Sequence, residues 1–385
     1  MSKVAIVRCE SYEYDEVQAA VKRGLDLIGG VQAFIRPGEK ILLKPNLLTG
    51  EPPEKCVTTH PAVFKAVGEL LLDEGAILCY GDSPGFSSPE AAARKAGIAD
   101  AAKELNIDLV DFRNGEEVFF SEGIQNKKFV IAKGALASAG IVSLPKLKTH
   151  ALTQMTGCIK NQFGCVPGIL KGEYHVKLPD LKNFAQMLVD LTNLLKPRLF
   201  IMDGIMAMEG NGPRGGSPRN MKVLLFSSDP VALDATVCRI IGLQPETIPT
   251  LELGMKSGLG TYRPEEIELL GDDIGIFVAA DFDVKKQSAA RPKKMPGLLT
   301  NLLVARPVII KEGCVKCGVC IEVCPVTPKV LGWNDGDRNM PPVYDYDRCI
   351  RCYCCQELCP EGTIVAKIPL LRKVIQWIEK QPAGD

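Results

Sequence analysis

The chain of 385 residues carries 46 Lys and Arg against 46 Asp and Glu, a net charge of zero, so no global field directs it to nucleic acid or to an anionic membrane. At 46% hydrophobic and 24% charged, it has the make-up of a soluble globular protein of two or three domains. No apolar run approaches the ~20 residues that cross a bilayer, and the apolar part of the N-terminal MSKVAIVRCESYEYDE is too short for a signal peptide. A soluble, cytoplasmic protein without a transmembrane segment is therefore expected.

In chain order, residues 1–280 alternate short apolar runs with helical stretches. The runs at 4–9, 40–46, 76–82, 107–111, 140–146, 199–204 and 223–229 predict strands buried on both faces. Helical segments lie at 61–74, 179–195 and 230–241. This alternation predicts an α/β domain, a mostly parallel sheet flanked by helices. Polar clusters follow nearly every strand: Lys44 and Asn46; Thr58, Thr59 and His60; Asp82 and Ser83; Lys146, Lys148 and His150; Asp203 and Glu209; Ser228, Asp229 and Asp234. In open parallel sheets, ligands bind beyond the carboxyl ends of the strands. Helix capping is the competing account for Asp82, Ser83 and Asp229, but it explains none of the lysines or histidines.

Residues 144–175 hold the densest cluster, with Lys146, Lys148, Lys160 and Lys171 able to neutralise a phosphate or carboxylate and Asn161 adding an amide. Cys158, Cys165 and Cys56 suit either small buried hydrophobes or thiols able to hold a further metal. The histidines are His60, His150 and His175, each beside other polar groups and suited to proton handling or metal ligation. GNGPRG at 210–215 satisfies G-x-G-x-x-G, but no strand directly precedes it and Pro213 and Pro218 interrupt any helix after it. No nicotinamide site follows, and a mobile or anion-contacting loop is expected.

Residues 281–308 are rich in Lys, Arg and Pro and predict a linker, part of which forms a short helix. Residues 309–361 are cysteine-rich. Residues 362–385 predict an amphipathic C-terminal helix, expected to fold back on its own protein rather than to meet a membrane. Of the 15 cysteines in the chain, most fall in the 309–361 module, and with no secretion signal metal or redox chemistry is a better reading than a disulfide scaffold. CVKCGVCIEVCP and CIRCYCCQELCP both read C-x2-C-x2-C-x3-C-P, the bacterial ferredoxin spacing for a [4Fe–4S] cube, in which the fourth cysteine ligates the other cube. Cluster one is then expected on Cys314, Cys317, Cys320 and Cys359, and cluster two on Cys349, Cys352, Cys355 and Cys324. Cys354 falls outside this register as a non-ligand. Paired C-x2-C also binds zinc, but two full copies with the C-x3-C-P ending favour two [4Fe–4S] clusters. The module resembles the two-cluster bacterial ferredoxins, and that resemblance implies one-electron transfer and a small α+β ferredoxin-like domain.

LLKPNLL, TTHP, GDSPG, LPKLKTH, GCIKNQFG, MDGIMAMEGNGP and SSDPVALD, in that order, resemble the domain of unknown function 362 family over residues 1–275. That family often carries a two-cluster ferredoxin module at its C-terminus, and the resemblance implies an iron–sulfur protein with a redox role. The expected function is therefore that of a reductase, a ferredoxin-dependent oxidoreductase in which a ferredoxin-type module carries electrons to or from an α/β domain that binds an anionic small molecule. His60, His150 and Lys148 are the expected catalytic groups. Lys44, Asn46, Lys146, Lys160, Asn161, Asp82, Asp203 and Glu209 are expected to surround the anion. An external electron donor or acceptor protein is the expected partner. A dedicated carrier or activator for a partner enzyme, or a metal or cluster delivery protein, would share the same motifs.

Overall fold

The computed structural model describes residues 1–168, 170–284 and 297–379. The strands of the large domain are β1 (Ser2–Arg8), β2 (Lys40–Pro45), β3 (Ile77–Tyr80), β4 (Asp108–Leu109), β5 (Gly115–Phe119), β6 (Lys128–Ala132), β7 (Gly140–Leu144), β8 (Lys146–His150), β9 (Gln154–Thr156), β10 (Leu199–Glu209), β11 (Ser217–Ser227) and β12 (Ile267–Gly271). The central sheet runs β12-β1-β11-β10-β7-β2-β3-β4, with β8 joined to β10 and β9. Its pairs are parallel except where β11 meets β1 and β10 and where β9 meets β8. The mostly parallel sheet read from the apolar runs is thus present. β5 and β6 form a separate antiparallel ribbon.

Alternation along each strand divides the core. Val4, Ile6 and Leu42 face one apolar layer, while Ala5, Val7, Ile41 and Leu43 face the other. Successive side chains point to opposite faces of a strand, so a strand covered on both sides must be apolar throughout. Helices Tyr14–Leu27 and Pro61–Asp73 belong to the second layer, and Leu181–Leu195 and Pro230–Ile240 to the first. Asp229 caps the last of these by accepting from Val231 N at 2.8 Å and Ala232 N at 2.9 Å, as expected for a residue before Pro230.

The C-terminal module begins earlier than its cysteines suggest. β13 (Arg306–Ile309) pairs antiparallel with a strand at Ile364–Lys367, and Leu331–Gly332 pairs with Val343–Tyr344. Residues 306–308, read as linker, are therefore part of the module. So is the start of the segment read as a tail helix: Ile364 and Ala366 turn into the core, which gives residues 364–367 a strand's period of two. The helix itself is confined to Leu370–Glu379. Its Leu370, Leu371 and Val374 are 80%, 46% and 52% exposed, so these side chains are not folded back on the protein. A short helix, Gly297–Leu303, lies in the expected linker. Residues 285–296 of the linker and 380–385 of the tail lie outside the described residues.

Candidate functional site between the two domains

Because β2, β3 and β7 run parallel, the residues just beyond their carboxyl ends converge on one edge of the sheet. Lys44, at 0% exposure, sends its ammonium to Asp82 Oδ1 at 2.8 Å and Asn161 Oδ1 at 3.3 Å. Asp82 Oδ2 accepts from Leu47 N at 2.8 Å. Asn46 Nδ2 donates to Asn161 Oδ1 at 2.9 Å, and Asn46 Oδ1 accepts from Lys148 Nζ at 2.6 Å. Gly164 completes the packing, since a Cβ there would stand 1.8 Å from Asp82 Oδ1.

Among the described residues, Lys148 has no carboxylate within hydrogen-bond reach; its second acceptor is Val57 O at 2.5 Å. Burial therefore pushes its pKa down to about 7, because the charged form is poorly solvated. Lys171 is in the same position: it donates to Ser83 O, Ser83 Oγ and Val166 O at 2.8–3.0 Å, and burial lowers it to about 7. Between pH 7 and the ordinary lysine value of 10.5, the folded chain holds fewer protons at these amines than the unfolded chain does. Their contribution to stability consequently rises with pH across that window, by about 1 kcal/mol per pH unit for each. Urea denaturation at pH 7 and pH 9 should show this rise, and Lys148→Met should remove roughly half of it.

A second buried network is separate. Lys146 Nζ meets Asp203 Oδ2 and Tyr12 OH, each at 2.7 Å, and Tyr12 OH donates to Asp203 Oδ1 at 2.7 Å. His60 stacks on the Tyr12 ring at 3.6 Å, its backbone N–H donates to Asp203 Oδ2 at 2.9 Å, and its ring Nδ1 accepts from Ala62 N at 3.1 Å. Burial lowers the His60 pKa to about 4. Lys146 and Lys148 are two apart on β8 and point alike, but the register of β8 on β10 sets Lys146 opposite Asp203 and Lys148 opposite Met208. Glu209 lies apart from both networks, 3.8 Å from Arg219 Nη1 and accepting from Asp283 N at 3.0 Å.

The cysteine-rich module closes over the first network. The loop 210–215 directly follows β10, contrary to the expectation that no strand precedes it, and it grips the module. Asn211 Nδ2 donates to Gly362 O and Ile364 O at 2.9 and 3.0 Å, Gln356 Nε2 donates to Asn211 O and Gly212 O at 3.0 Å, and Arg214 Nη1 donates to Leu358 O at 2.6 Å while its Nε reaches Glu51 Oε1 at 2.8 Å. Between the two parts lies a cavity of about 410 Å³, within the usual range for a small-molecule site. Asn46, Asp82, Lys148, His150, Lys160 and Asn161 line it, and Lys171 and His175 join them. Lys44 stands directly behind Asp82. His60, Lys146, Asp203 and Glu209 are not among its lining residues.

The module contributes Cys324, Cys354, Glu357 and Leu358 to the same cavity. Glu357 was not legible as a site residue, being more than 200 positions from Lys148 and inside the cysteine spacing. Burial pushes the Glu357 carboxyl up, but the Lys160 ammonium outweighs it and holds the group well below the usual carboxylate range. His175, stacked on Phe184 at 4.4 Å, is lowered by burial to about 3.

Cys314, Cys317, Cys320 and Cys359 line one small cavity of the module, and Cys324, Cys349, Cys352 and Cys355 line another. Each ring draws three thiols from one run and one from the other, around apolar space closed by Ile309 and Ile364 in the first case and by Pro325 and Leu331 in the second. Four thiols facing an enclosed apolar space are the donor set of a four-iron cube. Cys354 belongs to neither ring. Cys158 and Cys165 sit in the apolar core, where burial pushes both thiols up, Cys165 to about 12. Cys56 packs with Val57 and Met208. Among the described residues, no three His, Cys, Asp or Glu side chains are placed to hold a single metal ion, nor is any helix long and apolar enough to cross a membrane.

Residues 306–360 match the 4Fe-4S dicluster domain. A curated relative, the thylakoid-associated protein sll1697 of Synechocystis sp., is 39% identical over 266 residues, which cover 69% of this chain and 82% of that protein. Among solved structures, the lactate racemase apoprotein of Thermoanaerobacterium thermosaccharolyticum aligns with a TM-score of 0.40 at 12% identity, over 61% of this chain and 56% of that one. A Thermotoga maritima protein aligns at 0.37 and 10%, over 65% and 60%. Residues 41–239 match the domain of unknown function DUF362, and the chain belongs to that family, with an iron–sulfur module at its C-terminus.

Proposed function

We propose that the protein is an iron–sulfur reductase in which two [4Fe–4S] clusters serve an anionic small molecule held in the cavity between the domains. The observation that carries this reading is a shared wall: Cys324, one of the four thiols of the second ring, lines the same cavity as Lys148, His150 and Lys160. Cluster one would be held by Cys314, Cys317, Cys320 and Cys359, and cluster two by Cys349, Cys352, Cys355 and Cys324. When bound, each cluster supplies one-electron transfer.

The chain's own residues divide the remaining work. Lys160 binds the anion, Lys148 and Asn46 fix the floor through the Lys44–Asp82 pair, and Leu358 and Phe86 help to exclude water. Electrons enter at the other end, where Cys317 is exposed while Cys320, Cys359 and the second ring are largely buried. This geometry suits an external redox protein docking at cluster one, with the protein in the cytoplasm. The fixed hydrogen bonds between loop 210–215 and the module favour a reductase over a swinging carrier, because they hold cluster two against the cavity.

Anaerobic protein reduced to its one-electron cluster signals provides the test. Adding a panel of small carboxylates that carry a reducible carbonyl should reoxidise the clusters with at least one of them, one electron from each cluster and two protons from solvent converting the carbonyl to its alcohol, and Lys160→Met should slow that reoxidation at limiting substrate by about tenfold. Reoxidation that is independent of every compound, or unchanged in the variant, would remove the reductase reading and leave the carrier.

A further inference from the structure

The cavity holds four lysines, but they do not make it a site for highly charged ligands. Lys148 is bonded to Asn46 and Val57, Lys171 to Ser83 and Val166, and Lys329 to Glu322 O and Cys324 O. Against them stand Asp82, Glu173, Glu322 and Glu357 on the same walls. Lys160 alone among these lysines has no ion pair or hydrogen bond within the described residues; its ammonium lies 4.9 Å over the Phe163 ring.

His150 supplies a second open group. It is 5% exposed, and its Nδ1 accepts from Leu152 N at 3.1 Å and Thr153 N at 3.4 Å. An Nδ1 that accepts carries no proton, so the neutral ring holds its hydrogen on Nε2. That atom is buried without a hydrogen-bond partner among the described residues. Glu357 Oε2 is 3.7 Å away, beyond hydrogen-bond length. An unmade buried N–H costs about 1–3 kcal/mol, and a ligand oxygen would relieve it. The same tautomer leaves no lone pair on Nε2 for a metal or for taking up a proton. His150 is thus a donor and not a base. The same lining also carries apolar side chains: Leu48, Phe86, Pro213, Val323, Pro325 and Leu358.

We infer that the cavity takes a monoanionic carbonyl compound with an apolar body, its oxygens on His150 Nε2–H and the Lys160 ammonium, and rejects polyphosphates. This assignment of ligand class rests on the proposal that the same cavity is the substrate site. One cation and one neutral donor match a single carboxylate or 2-oxo acid. A diphosphate would add two or more charges facing Asp82, Glu322 and Glu357 with no free cation to meet them.

The test is calorimetric binding to the full-length, anaerobically purified protein with its clusters oxidised, using phenylpyruvate and pyrophosphate as probes. Phenylpyruvate should bind at least about tenfold more tightly than pyrophosphate, the factor that one charge-assisted hydrogen bond supplies. Lys160→Met and His150→Phe should each weaken phenylpyruvate by about tenfold, while His150→Gln, which keeps an N–H donor, should stay within about threefold of the parent. Pyrophosphate binding as tightly, neither probe binding, or Lys160→Met leaving the affinity unchanged would each overturn the assignment. Melting curves and cluster absorption accompany each variant, and Lys160→Met, at a half-exposed position, keeps the outcome decisive if His150→Phe does not fold. With no reductant present, a failure to bind counts against the ligand class; tight binding without later reoxidation of reduced clusters counts against the reductase reading instead.

Discussion

Cys324→Ser should lower the iron content of anaerobically prepared protein from about eight atoms per chain to about four, the content of one cube. Cys324 lies in the first cysteine run, yet it lines the cavity ringed by Cys349, Cys352 and Cys355. The loss should therefore fall on the cluster held mainly by the second run. Electron paramagnetic resonance of the reduced variant should show one isolated cluster signal, without the broadening that two neighbouring spins produce. Cys354→Ser is the internal control. Its thiol lines the large cavity and neither ring, so iron should stay at about eight. Iron lost from the Cys354 variant and kept by the Cys324 variant would reverse the ligand assignment.

Asp203→Ala should cost the large domain about 3–5 kcal/mol of stability, the range for breaking one side of a buried ion pair. Asp203 is fully buried and is, among the described residues, the only carboxylate bonded to Lys146, while also accepting from Tyr12 OH and His60 N. Removing it leaves an ammonium, a hydroxyl and a backbone N–H together in an apolar interior. Urea denaturation followed by far-ultraviolet circular dichroism measures the loss. Since none of Lys146, Asp203 and His60 lines the cavity, ligand affinity of the folded fraction should be unchanged. A large fall in affinity with intact stability would return these residues to the site.

Much of this was readable from local sequence. Strands buried on both faces must be continuously apolar, so β1, β2, β7, β10 and β11 announced themselves. Cysteine spacing is fixed by cluster geometry and carried the module. What sequence could not supply was which way each polar residue turns. Lys146 and Lys148 look equivalent in LPKLKTH, and only the pairing of β8 with β10 sends one to Asp203 and the other to the cavity. The same segment reads as a loop because its lysines break the apolar run; it is a strand because every one of its side chains is buried, with each charge met by a polar partner. Glu357 was hidden for a different reason. It joins the site through the docking of a second domain, and no periodicity within either domain records that contact. Loop 210–215 likewise looked like a ligand loop because Gly, Asn and Arg serve a protein partner as well as they serve an anion.

The cavity's outer wall, Cys354 to Leu358, is built on the same short segment that presents Cys355 and Cys359 to the two thiol rings. Thiol ring and cavity wall therefore share one stretch of backbone. A substitution that reorders either ring should be read out at a distance, as a change in ligand affinity, and one that reshapes the wall should in turn be read out at the thiols.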